Sequence, residues 1–434
     1  MSRTIKVEHL ARVEGHGGIT VDMMGDTVDA VRFDIFEGAR LLEVLLKGKV
    51  YTDVAPTISR ICSICSAAHT VTSLMATEDA FGVEVTPQTR DLRDLLFRGE
   101  NIESHALHVF LLAAPDYLGY PSAIAMAADH VDRVGLGLRL KQLGNSIQEL
   151  IGGREIHPVN CVPGGFGSLP TQAQLADLHR ALQQGMADAR AAVDFVASLP
   201  AADFCRDDIV LAALAGSAEF GYHEGDTIVV DGGTDRSAIP AVDYRTLTNE
   251  RTMPHSHAKH SLVDGRPFMV GALARLAMRR EKLLPEAAAA LERLGLEFPA
   301  RNPMDNNKAQ AVELVHDIEF ALNIVQRFLD DGVRPERPVR VQPRAGTGTA
   351  VTEAPRGLLV HSYTYDHAGL ITAADVITPT AMNAASIERH FRMAVEQSPA
   401  KDDETLKRKL EMIARAYDPC ISCSVHLIRR RDVG

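Results

Sequence analysis

Four of the six cysteines in this 434-residue chain stand in two CxxC pairs near its opposite ends. One lies in Arg60-Ile-Cys62-Ser-Ile-Cys65-Ser-Ala-Ala-His69, the other in Asp418-Pro-Cys420-Ile-Ser-Cys423-Ser-Val-His426. A CxxC turn aims two sulfurs at one point, so two such turns can supply four thiolates to a single centre. These soft ligands suit zinc, an iron–sulfur cluster, or nickel with iron. Paired CxxC in a large chain without secretory features reads as metal binding or redox chemistry and not as a disulfide framework. A structural zinc site satisfies the spacing within each pair. Zinc ribbons, however, gather their pairs within about 15–20 residues, whereas these flank nearly the whole chain, as a catalytic centre buried between the ends of a large fold would require. A thioredoxin-like reading explains one CxxC but not two. Cys161 and Cys205 stand alone and are expected to be small buried hydrophobes.

Composition narrows the partners. The formal net charge is −11, which argues against non-specific nucleic-acid binding, since no basic face is expected for phosphate backbones. No apolar run reaches the ~18–20 residues that span a bilayer, and the start, Met-Ser-Arg-Thr-Ile-Lys-Val-Glu, lacks the apolar core of a secretory signal. Trp is absent, which argues against a carbohydrate-stacking platform. With 46% hydrophobic and 24% charged residues the chain is expected to be globular.

The elements that must position the cysteines follow from periodicity. Alternating apolar positions at Thr4–Val7, Ile19–Met23 and Val31–Ile35 predict an N-terminal antiparallel sheet. Helical patterns cover Arg90–Ala113, Pro121–Ile151, Gln172–Ala197, Glu281–Leu294, Ala309–Asp330 and Asp403–Ala416, with further strands at Ile209–Ala213, Gly357–Tyr363 and Gly369–Ala373. No repeat or long linker interrupts them. The expectation is a helix-rich α+β fold: a long-helix bundle with peripheral antiparallel sheets and the metal site between the two cysteine pairs, residues 1–434 forming one interlocked domain.

In order and spacing, the two motifs resemble those of nickel–iron hydrogenase large subunits, whose signatures are RxCGxCxxxH and DPCxxCxxH. The resemblance runs along the chain: Arg12-Val-Glu14-Gly-His16-Gly; Glu43 with Lys47-Gly48; Gly152-Gly-Arg154-Glu-Ile-His157-Pro158 with Pro163-Gly-Gly165; Glu353-Ala-Pro355-Arg356-Gly357; and Pro379-Thr380-Ala-Met-Asn383. Ser63 departs from the family's usual glycine, which puts the backbone of the first turn in question. Eight residues, 427–434, follow His426 where family members are commonly trimmed. Details such as His108-Val-Phe-Leu-Leu-Ala-Ala-Pro115-Asp-Tyr are most similar to the cytoplasmic group, and a cytoplasmic location is expected.

The resemblance implies reversible heterolytic cleavage of H2 at a nickel–iron centre. Cys62 and Cys420 would be terminal nickel ligands, Cys65 and Cys423 would bridge nickel to iron, and the iron would carry CO and CN ligands. Two bases compete for the proton: the Cys420 thiolate, beside a glutamate that the resemblance matches to Glu14, and Arg356, whose guanidinium would overhang the open site. Because arginine is almost never deprotonated in proteins, Cys420 handing its proton to Glu14 is the expectation. Pro379 and Thr380 would line a diatomic ligand, and His69 would act as a donor to the Cys65 sulfur one turn behind it. Glu43, His426 and the Val376 carbonyl would hold Mg or a similar divalent ion. With four cysteines spent and two isolated, the electrons must leave through another chain: an iron–sulfur small subunit, joined by electron-transfer subunits of diaphorase or heterodisulfide reductase type. A hydrogen sensor with the same centre and a zinc-stapled scaffold are the alternatives; relatives that serve as scaffolds in respiratory complex I lack the cysteines kept here. His255-Ser-His257-Ala-Lys-His260 has metal-like spacing but resembles a family segment without ligands. Gly346-Thr-Gly348 lacks the Lys-Ser/Thr of a phosphate loop and is expected to be a turn before the strand carrying Glu353.

Overall fold

Thr86 accepts a hydrogen bond from Thr89 N just ahead of Pro87, and Thr171 with Gln174 forms a reciprocal capping box. Both are strong helix-start signals. They open Pro87–Ala106 and Gln172–Ser198, and each of these packs against both Val131–Gly152 and Asn306–Asp331, closing a ring of four long helices. This architecture comes from a computed structural model that describes residues 2–25, 27–38, 42–216, 219–233, 235–398 and 402–425. One close crossing is made by glycine: a Cβ on Gly144 would lie 2.4 Å from Glu103 N and 2.5 Å from Gly99 O, so these helices meet backbone to backbone.

Three antiparallel strands, Ser2–Val7, Gly17–Met24 and Thr27–Ile35, form the predicted N-terminal sheet, with Ile5 opposite Val21 and Val21 opposite Val31. A second three-stranded sheet joins Gly346–Ala354, Gly357–Tyr365 and Ile371–Ile377. A third is mixed, because Phe268–Met269 runs parallel to Val210–Ala215 while the other pairings are antiparallel. The chain's last helices return to its beginning: Pro379–Glu396 packs on Thr27–Ile35, and Asp403–Ala416 on Ser2–Val7.

Several expectations need correction. The helix expected over Pro121–Ile151 is two, Ala123–Met126 and Val131–Gly152, broken where His130 leaves helical geometry (φ −132°, ψ 43°) and the Tyr120 hydroxyl donates to Asp129. The one expected over Arg90–Ala113 widens into a π-helical stretch at Leu107–Ala113, where His108 is drawn toward Gln310 (2.5 Å) and the Arg415 carbonyl (2.6 Å). The strand expected at Gly369–Ala373 begins at Ile371, because Asp366 accepts from Ala368 N and Leu370 N and holds the preceding turn. Gly346-Thr-Gly348 is strand and not turn; its glycines let the strand touch a helix backbone, a Cβ on Gly348 falling 2.1 Å from Ala76 O.

That helix, Ser66–Phe81, is buried almost throughout and packs on strands Gly346–Ala354 and Gly357–Tyr365. Thr70, Thr72 and Thr77 turn their hydroxyls back onto carbonyls four residues earlier, which lets polar side chains enter a dry interior.

Candidate metal centre

Cys65 occupies the cap position of helix Ser66–Phe81, and Cys62 lies at the end of the short turn Ser59–Ile61 before it. Cys420 is joined to Glu14 by a single parallel bridge, Ile421 N donating to Glu14 O at 2.9 Å, and Cys423 follows within the turn Ile421–Ser424. The pairs converge. Cys62 Sγ is 3.0 Å from Cys420 Sγ, Cys65 Sγ is 3.4 Å from Cys423 Sγ, and all four sulfurs lie within 4.8 Å of one another. All four are unpaired thiols, and none is more than 5% exposed. Ser63 needs no left-handed backbone, since the non-glycine residues with positive φ among those described are Arg12, His157, Asp264 and Asp418.

Burial pushes the Cys65 thiol up to about 12 and those of Cys420 and Cys423 well above their usual value. Cys62 moves the other way: burial opposes its ionisation, but hydrogen bonds from the other three thiols and the charge of Arg356 outweigh it. Burial thus opposes the charge of all four thiols, and a bound cation would favour their deprotonated form.

Around the sulfurs, Glu14 Oε2 accepts from Cys420 Sγ at 3.1 Å and from Ser422 N at 3.1 Å, while its Oε1 accepts from Ser422 Oγ at 2.5 Å. The Arg356 guanidinium donates to Asp418 through Nε (backbone O, 2.6 Å) and Nη2 (Oδ1, 2.8 Å), and to Ser104 Oγ through Nη1. Burial works against its charge, but Asp418 and the cysteines raise its pKa well above the ordinary value. It is a fixed cation. Thr380 Oγ1 accepts from Cys420 N at 3.0 Å, just after Pro379 opens helix Pro379–Glu396.

His69 requires a correction. Its Nε2 faces Cys423 Sγ at 4.0 Å, not Cys65; helical geometry gives Cys65 only the backbone bond from His69 N to its carbonyl. The other ring nitrogen meets His361 Nε2 at 3.0 Å, and His361 in turn meets the Tyr363 hydroxyl. Burial lowers the His69 pKa to about 4, so the ring is neutral. Glu43 Oε1 accepts from Val376 N at 2.8 Å, so these two residues meet through the amide. The third expected ligand there, His426, lies outside the described residues.

The histidine run does not converge as a trio. His255 Nε2 and Phe33 N both bond Glu388 Oε1 at 2.8 Å and His260 approaches the other oxygen, while His257 bonds the Glu37 carbonyl. Cys161 and Cys205 are buried apart from the cluster, as expected. Sequence reasoning passed over Asp418, although it opens the second motif, and Ser104, Ser422 and Thr378, whose hydroxyl donates to Cys423 O. Those three are ordinary hydroxyls with no motif signal.

A thiolate centre joining both ends of a helix-rich α+β chain defines a class, and comparison with known proteins agrees. The nickel-dependent hydrogenase family matches residues 40–135 and 240–426. The chain belongs to this family and is the catalytic large subunit of a nickel–iron hydrogenase. Among its relatives, the alpha chain of sulfhydrogenase 1 from Pyrococcus furiosus is 39% identical over 427 residues, covering 98% of each chain. The corresponding chain of the vhc F420-non-reducing hydrogenase from Methanococcus voltae is 28% identical, covering 98% of this chain and 95% of its own. The solved structure of an NAD+-reducing NiFe hydrogenase in the H2-reduced state superposes with a TM-score of 0.87 at 26% identity, covering 98% of this chain and 99% of that one.

Proposed function

We propose that Cys62, Cys65, Cys420 and Cys423 would hold a nickel–iron unit with CO and CN ligands, Cys65 and Cys423 as the candidates shared between the metals, and that the site would serve heterolytic splitting of H2. When bound, the metals supply the Lewis acidity that takes the electron pair of H2. The observation that carries the reading is the convergence of four buried thiols, one of which, Cys420, donates to a carboxylate. Cys420 Sγ takes the proton and passes it to Glu14 Oε2, 3.1 Å away. Ser422 fixes that carboxylate with two hydrogen bonds. Arg356, pinned by Asp418 and Ser104, serves as a fixed positive charge and hydrogen-bond donor and not as a base. Pro379 lines the diatomic ligands, and the Thr380 hydroxyl, whose oxygen already accepts from Cys420 N, keeps its hydrogen for a cyanide nitrogen. Glu43 and Val376, with His426, hold a magnesium-type ion.

Electrons leave through an iron–sulfur small subunit. The supporting feature is a surface beside the first cysteine pair where Ile156 and Val159 are exposed. Their loop is tied to the cysteine helix by His157 N donating to Ser66 Oγ at 2.9 Å. The NAD+-reducing relative supports a nicotinamide-linked subunit beyond it, and no helix among the described residues is long and apolar enough to cross a membrane. We assign the working enzyme to the cytoplasm, one domain spanning the chain. Elemental analysis and infrared spectroscopy test the centre: nickel and iron near 1:1 with CO and CN bands support it, and zinc without such bands removes it.

A further inference from the structure

The first turn of helix Ser66–Phe81 contains a conflict of duties. A helix start leaves its first N–H groups without intrahelical partners, and the residue at the cap position ordinarily covers one with a side-chain oxygen. Here that residue is Cys65. Its side chain makes no cap hydrogen bond, and its sulfur lies in the thiol cluster, 3.4 Å from Cys423. The missing acceptor comes from another helix. Glu100 on Pro87–Ala106, fully buried, accepts from Ala67 N at 2.6 Å through Oε1, and from Ala68 N at 3.2 and 3.0 Å through Oε1 and Oε2.

We propose that Glu100 is a positioning residue for the metal centre: it caps the cysteine helix from outside, so that Cys65 is free to bind metal while its backbone stays fixed. The inference rests on the assignment of the four thiols to nickel and iron made above. The helix that carries Glu100 does not yield easily, because it is locked by the buried Arg98–Asp317 pair at 2.8 Å and by the glycine crossing with Val131–Gly152. Burial drives the Glu100 carboxyl well above the usual range even against the two amides it accepts from. The group therefore serves as a hydrogen-bond acceptor of fixed reach, a duty a neutral amide shares.

Two conservative variants of the holoenzyme with its partner subunits separate reach from charge. Glu100→Gln keeps an acceptor oxygen at the same distance; Glu100→Asp keeps the acid but withdraws it by one methylene. The expected result is wild-type nickel content, unshifted CO and CN infrared bands and slow amide exchange at Ala67 and Ala68 in Glu100→Gln. Glu100→Asp should show nickel reduced several-fold, displaced or broadened bands, and exchange at those two amides faster by about tenfold. The reverse pattern would assign a role to charge and overturn the proposal, as would two unaffected variants or two equally impaired ones. Wild-type protein without infrared bands would instead remove the metal assignment. The exchange rates of Ala67 and Ala68 would then still decide whether Glu100 is the cap.

Discussion

Cys62 and Cys65 sit at the head of a 16-residue helix buried on nearly every side, whereas Cys420 and Cys423 ride on a four-residue turn at the end of the described chain. The first pair is held by interior packing and by Glu100. The second is held by hydrogen bonds from segments remote in sequence: Glu14 to Ile421 and Ser422, Thr380 to Cys420 N, Thr378 to Cys423 O. Both halves of the site are buried alike; they differ in what fixes the backbone, helix packing for one and hydrogen bonds to distant segments for the other. The carboxylate that touches a sulfur, Glu14, is among the groups that hold the second pair.

The largest test of this contrast removes a proposed ligand from the second pair. Cys420→Ser should abolish hydrogen oxidation and bring nickel to background while the far-ultraviolet circular dichroism stays unchanged; nickel at wild-type level would show that the second pair is not needed to hold it. Next, Glu14→Gln should cut hydrogen oxidation by about 10²–10⁴-fold, the usual worth of a positioned proton acceptor, with nickel and infrared bands retained. Undiminished hydrogen/deuterium exchange in that variant would place the proton route elsewhere. Arg356→Lys, which loses the fork gripping Asp418 and Ser104, should lower turnover by about 10–100-fold with the metals in place; loss of nickel instead would make Arg356 an assembly residue. Thr380→Val leaves the buried Cys420 N–H without its acceptor, a cost of ~1–3 kcal/mol, read as a lower midpoint of thermal inactivation.

A further effect is one of pH. His390 lies on the helix that carries Thr380, its ring bonded to the Tyr417 hydroxyl at 2.6 Å, and burial lowers its pKa to about 4 against an ordinary 6.5. The unfolded chain therefore binds more protons than the folded one between those values. Stability should be unaffected above pH 6.5 and fall as pH drops from 6.5 toward 4. His390→Gln should flatten that slope in a series of thermal-inactivation midpoints; an unchanged slope would assign the acid sensitivity to other groups.

The four thiols were legible because CxxC spacing encodes their convergence directly, and the N-terminal sheet because one of its faces is buried and the other is not. Helix Ser66–Phe81 was not anticipated along its length, since a helix buried nearly all round shows no amphipathic period; Pro379–Glu396, which does turn Arg389 and Glu396 to solvent, was passed over as well. The partner of His69 was misplaced for a geometric reason: one helical turn fixes a backbone bond to Cys65, but the ring swings toward whichever sulfur the fold brings beside it. Glu100 carried no signal at all. It is a carboxylate in mid-helix, where sequence suggests only solvent, and its duty exists only because another helix lacks a cap.

The bridge between residues 14 and 420 also bears on how the protein is made. During synthesis the second cysteine pair emerges only after nearly all the rest of the described chain. Glu14, the sheet around it and the first thiol pair must then stand ready through most of translation. A chain halted before Cys420 owns half of a binding site and no turn to fill the groove beside Glu14. Only a molecule read through Cys423 brings all four sulfurs together.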